Sequence, residues 1–314
     1  MIRRTDEDTL QLAIPKGRMY DGVLRLLAGA VMISFAPVFV RVIDVPPTTG
    51  AFYRTLFGGV MLFVLVRVAG SRLHGGRAAL VALATAGAFF AADLWAWHRS
   101  IWIVGPGLAT LLANFQVFFM ALAGIVLFNE RFRWQLVTAV PLALLGLSLV
   151  VGLDREAWSP GSSWGIAFGL LAAVAYAGYL LSLRAARIRG MGVTAAGDLT
   201  VASFVSAALL GVSALVEGES LAIPTVMDGS LLCAYALVAQ VLGWVLVSSS
   251  LRVVPASTVG LSLLLQPSLA LLWDVLFFER PFGAREGVGA ALTLLAIWLG
   301  SRAARIPRGG SAET

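Results

Sequence analysis

Three residue types that support cross-linking or metal and Schiff-base chemistry are rare in this chain. Among 314 residues it has one cysteine (Cys233), one lysine (Lys16) and two histidines (His74 and His98). A single cysteine excludes an internal disulfide and a site with several cysteine ligands. The lack of a lysine inside an apolar run excludes a retinal pump, and two separated histidines exclude a zinc-protease ligand cluster. We therefore expect neither a metal site nor a cofactor.

Charged residues are also scarce, at 13% of the chain, whereas soluble domains carry about 25%. Hydrophobic residues make up 59%, and the mean hydropathy is +0.88. The net charge of +6 does not indicate a nucleic-acid partner, because the arginines occur singly or in small groups between apolar segments. No GxxxxGK[ST] phosphate loop and no GxSxG nucleophile turn is present. The composition predicts a membrane protein.

Apolar runs long enough to cross a bilayer, about 20 residues each, recur along the chain. We predict an all-α integral membrane protein with ten spans, at 24–43, 50–67, 79–97, 106–128, 135–152, 164–183, 195–216, 229–250, 253–276 and 286–304. The first 25 residues or so lack the compact apolar region and cleavage site of a signal peptide, so none is expected.

The arginines predict an orientation. With the N-terminus in the cytoplasm, 17 of the 23 lysines and arginines lie on the cytoplasmic side. Cytoplasmic loops of membrane proteins carry such an excess of basic residues. Both termini are therefore predicted to be cytoplasmic.

Similar residues recur at a separation of 149 positions. The pairs are Trp95 with Trp244, Ser100 with Ser249, Pro106 with Pro255, and Glu130-Arg131 with Glu279-Arg280. Spans one to five would then correspond to spans six to ten. Five is an odd number, so the two halves would have opposite orientations in the membrane.

Such an inverted repeat is typical of secondary transporters, whose substrate site lies near the midplane between the halves. A duplicated bundle that serves only as a scaffold is the alternative. The predicted organisation is a cytoplasmic segment at 1–23, a first five-helix repeat at 24–152, a linker at 153–163, a second repeat at 164–304 and a cytoplasmic tail at 305–314.

Several segments resemble a known family. They are ISFAPVFVRV in the first span, AFYRTLFGG in the second, the pattern Asp93-Leu94…Trp97-His98…Ser100-Ile101, AYAGYLLSLRAAR at 175–187 and the two Glu-Arg pairs. With ten spans in two halves, these segments resemble the drug/metabolite transporter superfamily, EamA type, in its bacterial branch. The resemblance implies a multi-pass permease of the bacterial inner membrane that moves small metabolites, often outward, without a covalent cofactor. The fourth span departs from the family pattern, because it lacks the usual proline.

Asp93 is the principal candidate for a substrate contact, because an ionisable group inside a span is costly and should face a cavity or a partner. Trp97 lies four residues later, on the same helical face. His98 lies next to it at the outer boundary and would add a pH response. The alternative is that Asp93 is neutral or paired with an arginine, Arg54 or Arg99, while the tryptophans form an interfacial belt.

Polar and aromatic residues in other spans are further candidates for the site. They are Asn114 and Gln116 in span four, Tyr176 and Tyr179 in span six, Gln240 and Trp244 in span eight, and Gln266 in span nine. The amides would hold a polar metabolite or join helices, and the tyrosines would contact a ligand or pack in the core. The cavity is expected between spans one, three, four, six, eight and nine. Ser34 and Pro37 are expected to loosen the first span.

Glu130 and Glu279 lie at predicted helix ends on opposite membrane faces. We expect a gating or structural role for both, through pairing with arginines or neighbouring loops. Pro106 and Pro255 are assigned the same role.

The predicted function is secondary transport of a small polar or amphipathic metabolite, such as an amino acid, by alternating access, with export favoured by the resemblance. An integral membrane enzyme acting on lipids and a channel are the alternatives. The expected partners are the substrate and the lipid bilayer, with protons as a further candidate through Asp93. Uncoupled transport stays open, as does the choice between monomer and homodimer.

Overall fold

All regular structure in the described part of the chain is helical. The structure is a computed structural model, and it describes residues 16–73, 75–128, 130, 134–151, 162–188, 194–279 and 282–303. The helices are α1 (Lys16–Ile33), α2 (Ala36–Val42), α3 (Pro47–Val68), α4 (Arg77–Ala113), α5 (Gln116–Phe128), α6 (Trp134–Val151), α7 (Ser163–Ile188), α8 (Ala195–Val216), α9 (Val226–Tyr235), a π-helical segment (Ala236–Gly243), α10 (Trp244–Ser250), α11 (Ala256–Ser262), α12 (Leu265–Phe278) and α13 (Ala284–Ala303).

Local sequence explains where several of these helices begin. Pro46 and Pro47 stand at the start of α3, where a missing backbone N–H costs nothing. Thr194 and Thr225 precede α8 and α9, and their hydroxyls accept hydrogen bonds from backbone N–H groups two or three residues into the helix.

Eight stretches of the described chain are long and apolar enough to cross a membrane. They are Gly17–Val42, Pro47–Val68, Arg77–Ile101, Ala109–Phe128, Ser163–Ile188, Ala195–Val216, Val226–Ser250 and Ala256–Phe278. Within α6, Val137–Leu149 forms a shorter apolar stretch. The predicted all-helical membrane fold is confirmed. The number of ten spans and the inverted relation of the halves stay predictions.

Three spans are interrupted along their length. The breaks lie at Ser34–Phe35 between α1 and α2, at Asn114–Phe115 between α4 and α5, and at Leu263–Leu264 between α11 and α12. Ser34 Oγ donates to the carbonyl of Val31 at 2.6 Å, as expected for a hydroxyl that satisfies a freed carbonyl. Helices with such breaks bend at defined points.

Helix α4 folds back on itself although all of its 37 residues are helical. A Cβ atom built at Gly169 of α7 would lie 2.9 Å from Ser100 Oγ and 2.7 Å from Leu112 Cβ. Twelve residues of straight helix span about 18 Å, so one position could not contact both. The turn therefore lies between Ser100 and Leu112, and Pro106 lies in this stretch. The side chain of Pro106 is outside the described residues.

Two large apolar clusters and a small one, formed by Ile43, Leu232, Tyr235 and Ala239, make up the core. The larger one joins α1, α4, α7, α8 and α10, and the second joins α4, α5, α6, α11 and α13. Small residues allow close packing in the second: a Cβ atom at Gly146 of α6 would lie 2.6 Å from the carbonyl oxygen of Gly289 in α13.

Candidate functional site

An aromatic cluster fills the centre of the bundle, where α4, α7 and α10 meet. The rings of Phe90 and Tyr179 stack with centroids 4.5 Å apart. Trp244 lies edge-on to Tyr179 at 4.7 Å, to Phe90 at 5.5 Å and to Tyr176 at 6.0 Å. Edge-to-face and offset stacks at these separations are favourable arrangements of aromatic rings. Three of the predicted residues therefore lie together, and Phe90 joins them.

Arg54 of α3 links this cluster to polar groups on the π-helical segment and α9. Its Nε donates to Gln240 Oε1 at 3.2 Å, and its Nη1 donates to the hydroxyl of Tyr235 at 3.0 Å. The guanidinium also lies 5.5 Å from the centre of the Phe90 ring. Arg54 is only 5% exposed. A buried arginine with several partners in a span indicates a functional position.

Asp93 follows Phe90 by one helical turn and is buried. In the described part of the chain, no hydrogen-bond donor contacts its carboxyl group, and Arg54 supplies the charge that acts on it. Asp93 therefore lies near Arg54 but forms no hydrogen bond with Arg54 or its partners. Among the described residues, Asp93 thus forms no hydrogen-bonded ion pair with Arg54 or Arg99, and its role as a ligand or proton site stays a prediction.

Trp97 and His98 lie one turn farther along α4. Their rings contact each other, with centroids 5.2 Å apart, and His98 is buried. Trp97 is half-buried and packs on the second apolar cluster. The structure thus places both residues near Asp93 in the chain but outside the aromatic cluster.

The four amide side chains predicted for the site separate into two groups. Gln240 binds Arg54 and donates to Ser203 Oγ at 3.0 Å, and Gln266 Nε2 lies 3.4 Å from the Tyr176 hydroxyl. Together with Arg54, Tyr235 and the aromatic cluster, these two amides form what we call the central network.

The other two amides serve the helices. Gln116 Nε2 donates to the carbonyl of Gly260 at 3.1 Å and joins α5 to α11. Asn114 Nδ2 donates to the carbonyl of Thr110 at 2.8 Å, within its own chain segment at the end of α4. The alternative of helix joining therefore describes the contacts of Gln116 well.

Glu130 binds the N-terminus of α11, on the face of the bundle where α5 ends and α11 begins. Its carboxylate accepts hydrogen bonds from Ala256 N at 2.5 Å, from Ser257 N at 3.3 Å and from Ser257 Oγ at 2.9 Å. Free N–H groups and the helix dipole favour a carboxylate at this position. Pro255 immediately precedes this N-terminus.

Arg184 of α7 completes this arrangement, which we call the Glu130 latch (Glu130, Arg184, Pro255, Ala256 and Ser257). Its Nη2 donates to Glu130 Oε1 at 3.3 Å, and its Nη1 donates to the carbonyls of Leu251 and Val254. The side chains of Glu130 and Arg184 are only 8% and 6% exposed. The latch ties α5 to α7 and α11.

Glu279, by contrast, is exposed, and its backbone is left-handed, with φ of 52°. Arg131 and Arg280, the arginines that follow Glu130 and Glu279 in the chain, lie outside the described residues. Among the described residues, no group of three or more His, Cys, Asp and Glu side chains could hold a metal.

The sequence interpretation missed Phe90, Tyr235 and Arg184, and it considered Arg54 only as a partner of Asp93. For Arg54 a signal existed, because it lies inside the predicted span 50–67, where a charge is unusual. Arg184 lay one residue beyond a predicted span end and was read as a flanking charge. Phe90 and Tyr235 are ordinary apolar or aromatic residues of a span, and nothing in their spacing distinguishes them.

Comparison with known proteins adds the family. The model of the EamA-like transporter family matches residues 21–152 and, a second time, residues 163–302. A solved crystal structure superposes with a TM-score of 0.79 over 90% of this chain and 97% of its own, at 17% identity. That likeness shows a shared fold. No curated protein matches the sequence significantly. The resemblance seen in the sequence is confirmed: this multi-pass membrane protein belongs to the EamA-like transporter family.

Proposed function

We propose that this protein is a secondary transporter that moves a small polar or amphipathic metabolite, such as an amino acid, by alternating access. The observation that carries the proposal is the contact of Arg54 with Gln240 and Tyr235 beside the aromatic cluster. Arg54 lies in the first family-matched range and its partners lie in the second. Polar groups that meet between two repeated units in mid-bundle are typical of a transporter site.

The proposed site consists of the central network and its neighbours on α4. Asp93 would bind a cationic group or a proton, the rings of Tyr176 and Trp244 would contact apolar parts of the substrate, and Gln266 would bind a polar edge. Trp97, His98 and Asn114 would line the approach, while Tyr179, Gln116 and Gln240 would hold the surrounding helices. Proton coupling through Asp93 is part of this proposal, and uncoupled exchange is the competing mechanism.

The Glu130 latch is the proposed gate on the face that the arginine count assigns to the cytoplasm. Ten spans in two inverted halves, both termini in the cytoplasm and a location in the bacterial inner membrane complete the proposal. It is supported by 17 of 23 basic residues on one side and by the repeated Glu-Arg pairs. Export is favoured as the direction by the family resemblance.

Counterflow in proteoliposomes tests the proposal. Wild-type protein is assayed against a pooled library of labelled amino acids, nucleosides and amines, beside Asp93→Asn and the control Asp21→Asn. Asp21 is exposed on α1, so its replacement should leave transport unchanged. Saturable accumulation that Asp93→Asn abolishes is the expected result. Transport that survives in Asp93→Asn would make this acid structural.

The two alternative functions give different results in the same assay. Chemical conversion of a library member would indicate a membrane enzyme. Flux that does not saturate would indicate a channel. Either outcome from folded protein would overturn the transporter proposal.

A further inference from the structure

A second carboxylate network lies on the face opposite to the Glu130 latch. The start of α8 lies on the same face of the bundle as the latch, because Arg187, one turn after Arg184, pairs with Asp198 of α8 at 3.3 Å. The other end of α8 therefore lies on the opposite face, together with the start of α3. Glu217 lies at this end of α8 and Thr48 at the start of α3.

Four donors from three helices converge on Glu217. Trp95 Nε1 donates to Oε1 at 3.1 Å, Arg99 Nη2 donates to the same oxygen at 2.5 Å, and Thr48 Oγ1 donates to Oε2 at 3.0 Å. Ser213 Oγ, one turn earlier in α8, also donates to Oε1. The Arg99 guanidinium stacks 3.6 Å from the centre of the Trp95 ring, which orients it toward the carboxylate.

Glu219 strengthens the same junction. Its Oε2 accepts hydrogen bonds from Thr49 N at 2.8 Å and from Thr49 Oγ1 at 3.0 Å, and its Oε1 accepts from Thr48 N at 3.3 Å. It thus binds free N–H groups at the start of α3, as Glu130 does at the start of α11. We call these residues (Thr48, Thr49, Trp95, Arg99, Ser213, Glu217 and Glu219) the Glu217 clasp.

The clasp lies directly outside the central network. On α4, Trp95 and Arg99 follow Asp93 within six residues, which is about 9 Å of helix. On α3, Thr49 precedes Arg54 by five residues. The clasp also joins the first family-matched range, which supplies α3 and α4, to the second, which supplies α8. Separation of the two ranges at this face would therefore break the clasp and open a path to Asp93 and Arg54.

The clasp is more exposed than the latch. The side chains of Arg99 and Glu217 are 26% and 23% exposed, against 6% and 8% for Arg184 and Glu130. Ion pairs near water are weaker than buried ones, because solvent screens them and competes for their hydrogen bonds. Of the two networks, the clasp is the one that water reaches more easily.

We propose that the Glu217 clasp is the second gate of this transporter, and that the face opposite to the Glu130 latch is closed by Glu217 and not by Glu279, the sequence counterpart of Glu130. This inference rests on the proposed function. With latch and clasp both formed, the structure corresponds to an occluded state, and the weaker clasp sets the face that opens first.

Cysteine accessibility tests the gate without any knowledge of the substrate. The single native cysteine is removed by Cys233→Ser, and Tyr176→Cys places a reporter in the half-buried centre. In vesicles of defined orientation, a membrane-impermeant maleimide is added from one side at a time. Glu217→Gln should raise labelling from the clasp face about fivefold, Glu279→Gln should leave it unchanged, and Glu130→Gln should raise labelling from the other face.

Equal labelling in Glu217→Gln, Glu279→Gln and the parent would overturn the gate. If Glu217→Gln does not fold, Arg99→Gln removes the same ion pair from a different helix and must give the same increase. The accessibility and counterflow results separate the two proposals. Increased labelling without any transported compound would retain the clasp as a closure of this face and reject the transporter, whereas normal transport with unchanged labelling would retain the transporter and reject the gate.

Discussion

Glu130 and Glu279 follow apolar helix ends, and each is followed by arginine, yet their surroundings differ. Glu130 is nearly buried against the start of α11, whereas Glu279 is exposed with a left-handed backbone. The reason lies in the segment that each could reach. After Pro255, α11 begins with free N–H groups, but the residues after Pro106 continue inside α4. Of Pro106 and Pro255, only Pro255 precedes a helix N-terminus whose N–H groups a carboxylate can bind.

Replacement of the two glutamates should give the largest difference. Glu130→Gln removes the charge that pairs with the buried Arg184, so the free energy of unfolding should fall by about 3 kcal/mol, at the low end for a broken buried pair because the carbonyl contacts remain. Glu279→Gln should change it by less than about 0.5 kcal/mol, as expected at an exposed position. Denaturation in detergent measures the free energy of unfolding of both variants. Equal losses would contradict the difference between the surroundings of Glu130 and Glu279.

Gly124 explains part of the same difference, because it makes room for Glu130. A Cβ atom at Gly124 would lie 2.5 Å from Glu130 Oε2, so Gly124→Ala should displace the carboxylate and destabilise the protein by about 1–3 kcal/mol. The control is Gly50→Ala in α3, where the nearest atom, of Val45, would be 3.5 Å away. That replacement should be neutral or slightly stabilising in a helix. Thermal unfolding midpoints of the two variants test this prediction. A lower midpoint for Gly50→Ala than for Gly124→Ala would contradict the packing of Glu130 against Gly124.

Acid should weaken the clasp. Burial raises the pKa of Glu217, but hydrogen bonds from Ser213, Arg99 and Thr48 lower it more, so the pKa lies below its ordinary value. Arg99 pairs with Glu217, and His98 is the other titratable group on which its charge acts.

Since the pKa is lower in the folded state, the stabilisation by Glu217 is complete above about pH 4.3 and is lost as the pH falls through the folded-state value. The effect should be at most about 1 kcal/mol. The unfolding midpoint in detergent should therefore fall more on acidification in the wild type than in Glu217→Gln. Equal falls in the two proteins would assign the acid effect to other groups.

The smallest effect is expected in the centre, between the two gates. Tyr176→Phe removes only the long contact of 3.4 Å with Gln266 and keeps the ring contact with Trp244, so stability should change by about 0.5 kcal/mol or less. The buried hydroxyl of Tyr179 has no hydrogen-bond partner among the described residues, so Tyr179→Phe should be neutral or stabilising. A loss of transport in Tyr176→Phe at unchanged stability would indicate direct contact with the substrate. A large destabilisation would instead place Tyr176 in the core.

The sequence pattern predicted the membrane class and most spans, because a helix in lipid needs a long apolar run, and such runs are visible in the sequence. It also predicted the break in the first span at Ser34 and the family. Within the site, the candidates Tyr176, Tyr179, Trp244, Gln240 and Gln266 do lie in or beside one central network. Their role in transport stays a prediction.

The sequence by itself thus determined the helical membrane class and the family, since both depend on composition and on residues near one another in the chain. Only the tertiary structure decided which charges have partners. Arg54 lies 186 residues from Gln240, Glu130 lies 126 from Ala256, and Arg99 lies 118 from Glu217. Whether a charge in a span is paired depends on which distant backbone groups and side chains the packing brings to it, and no local pattern records that.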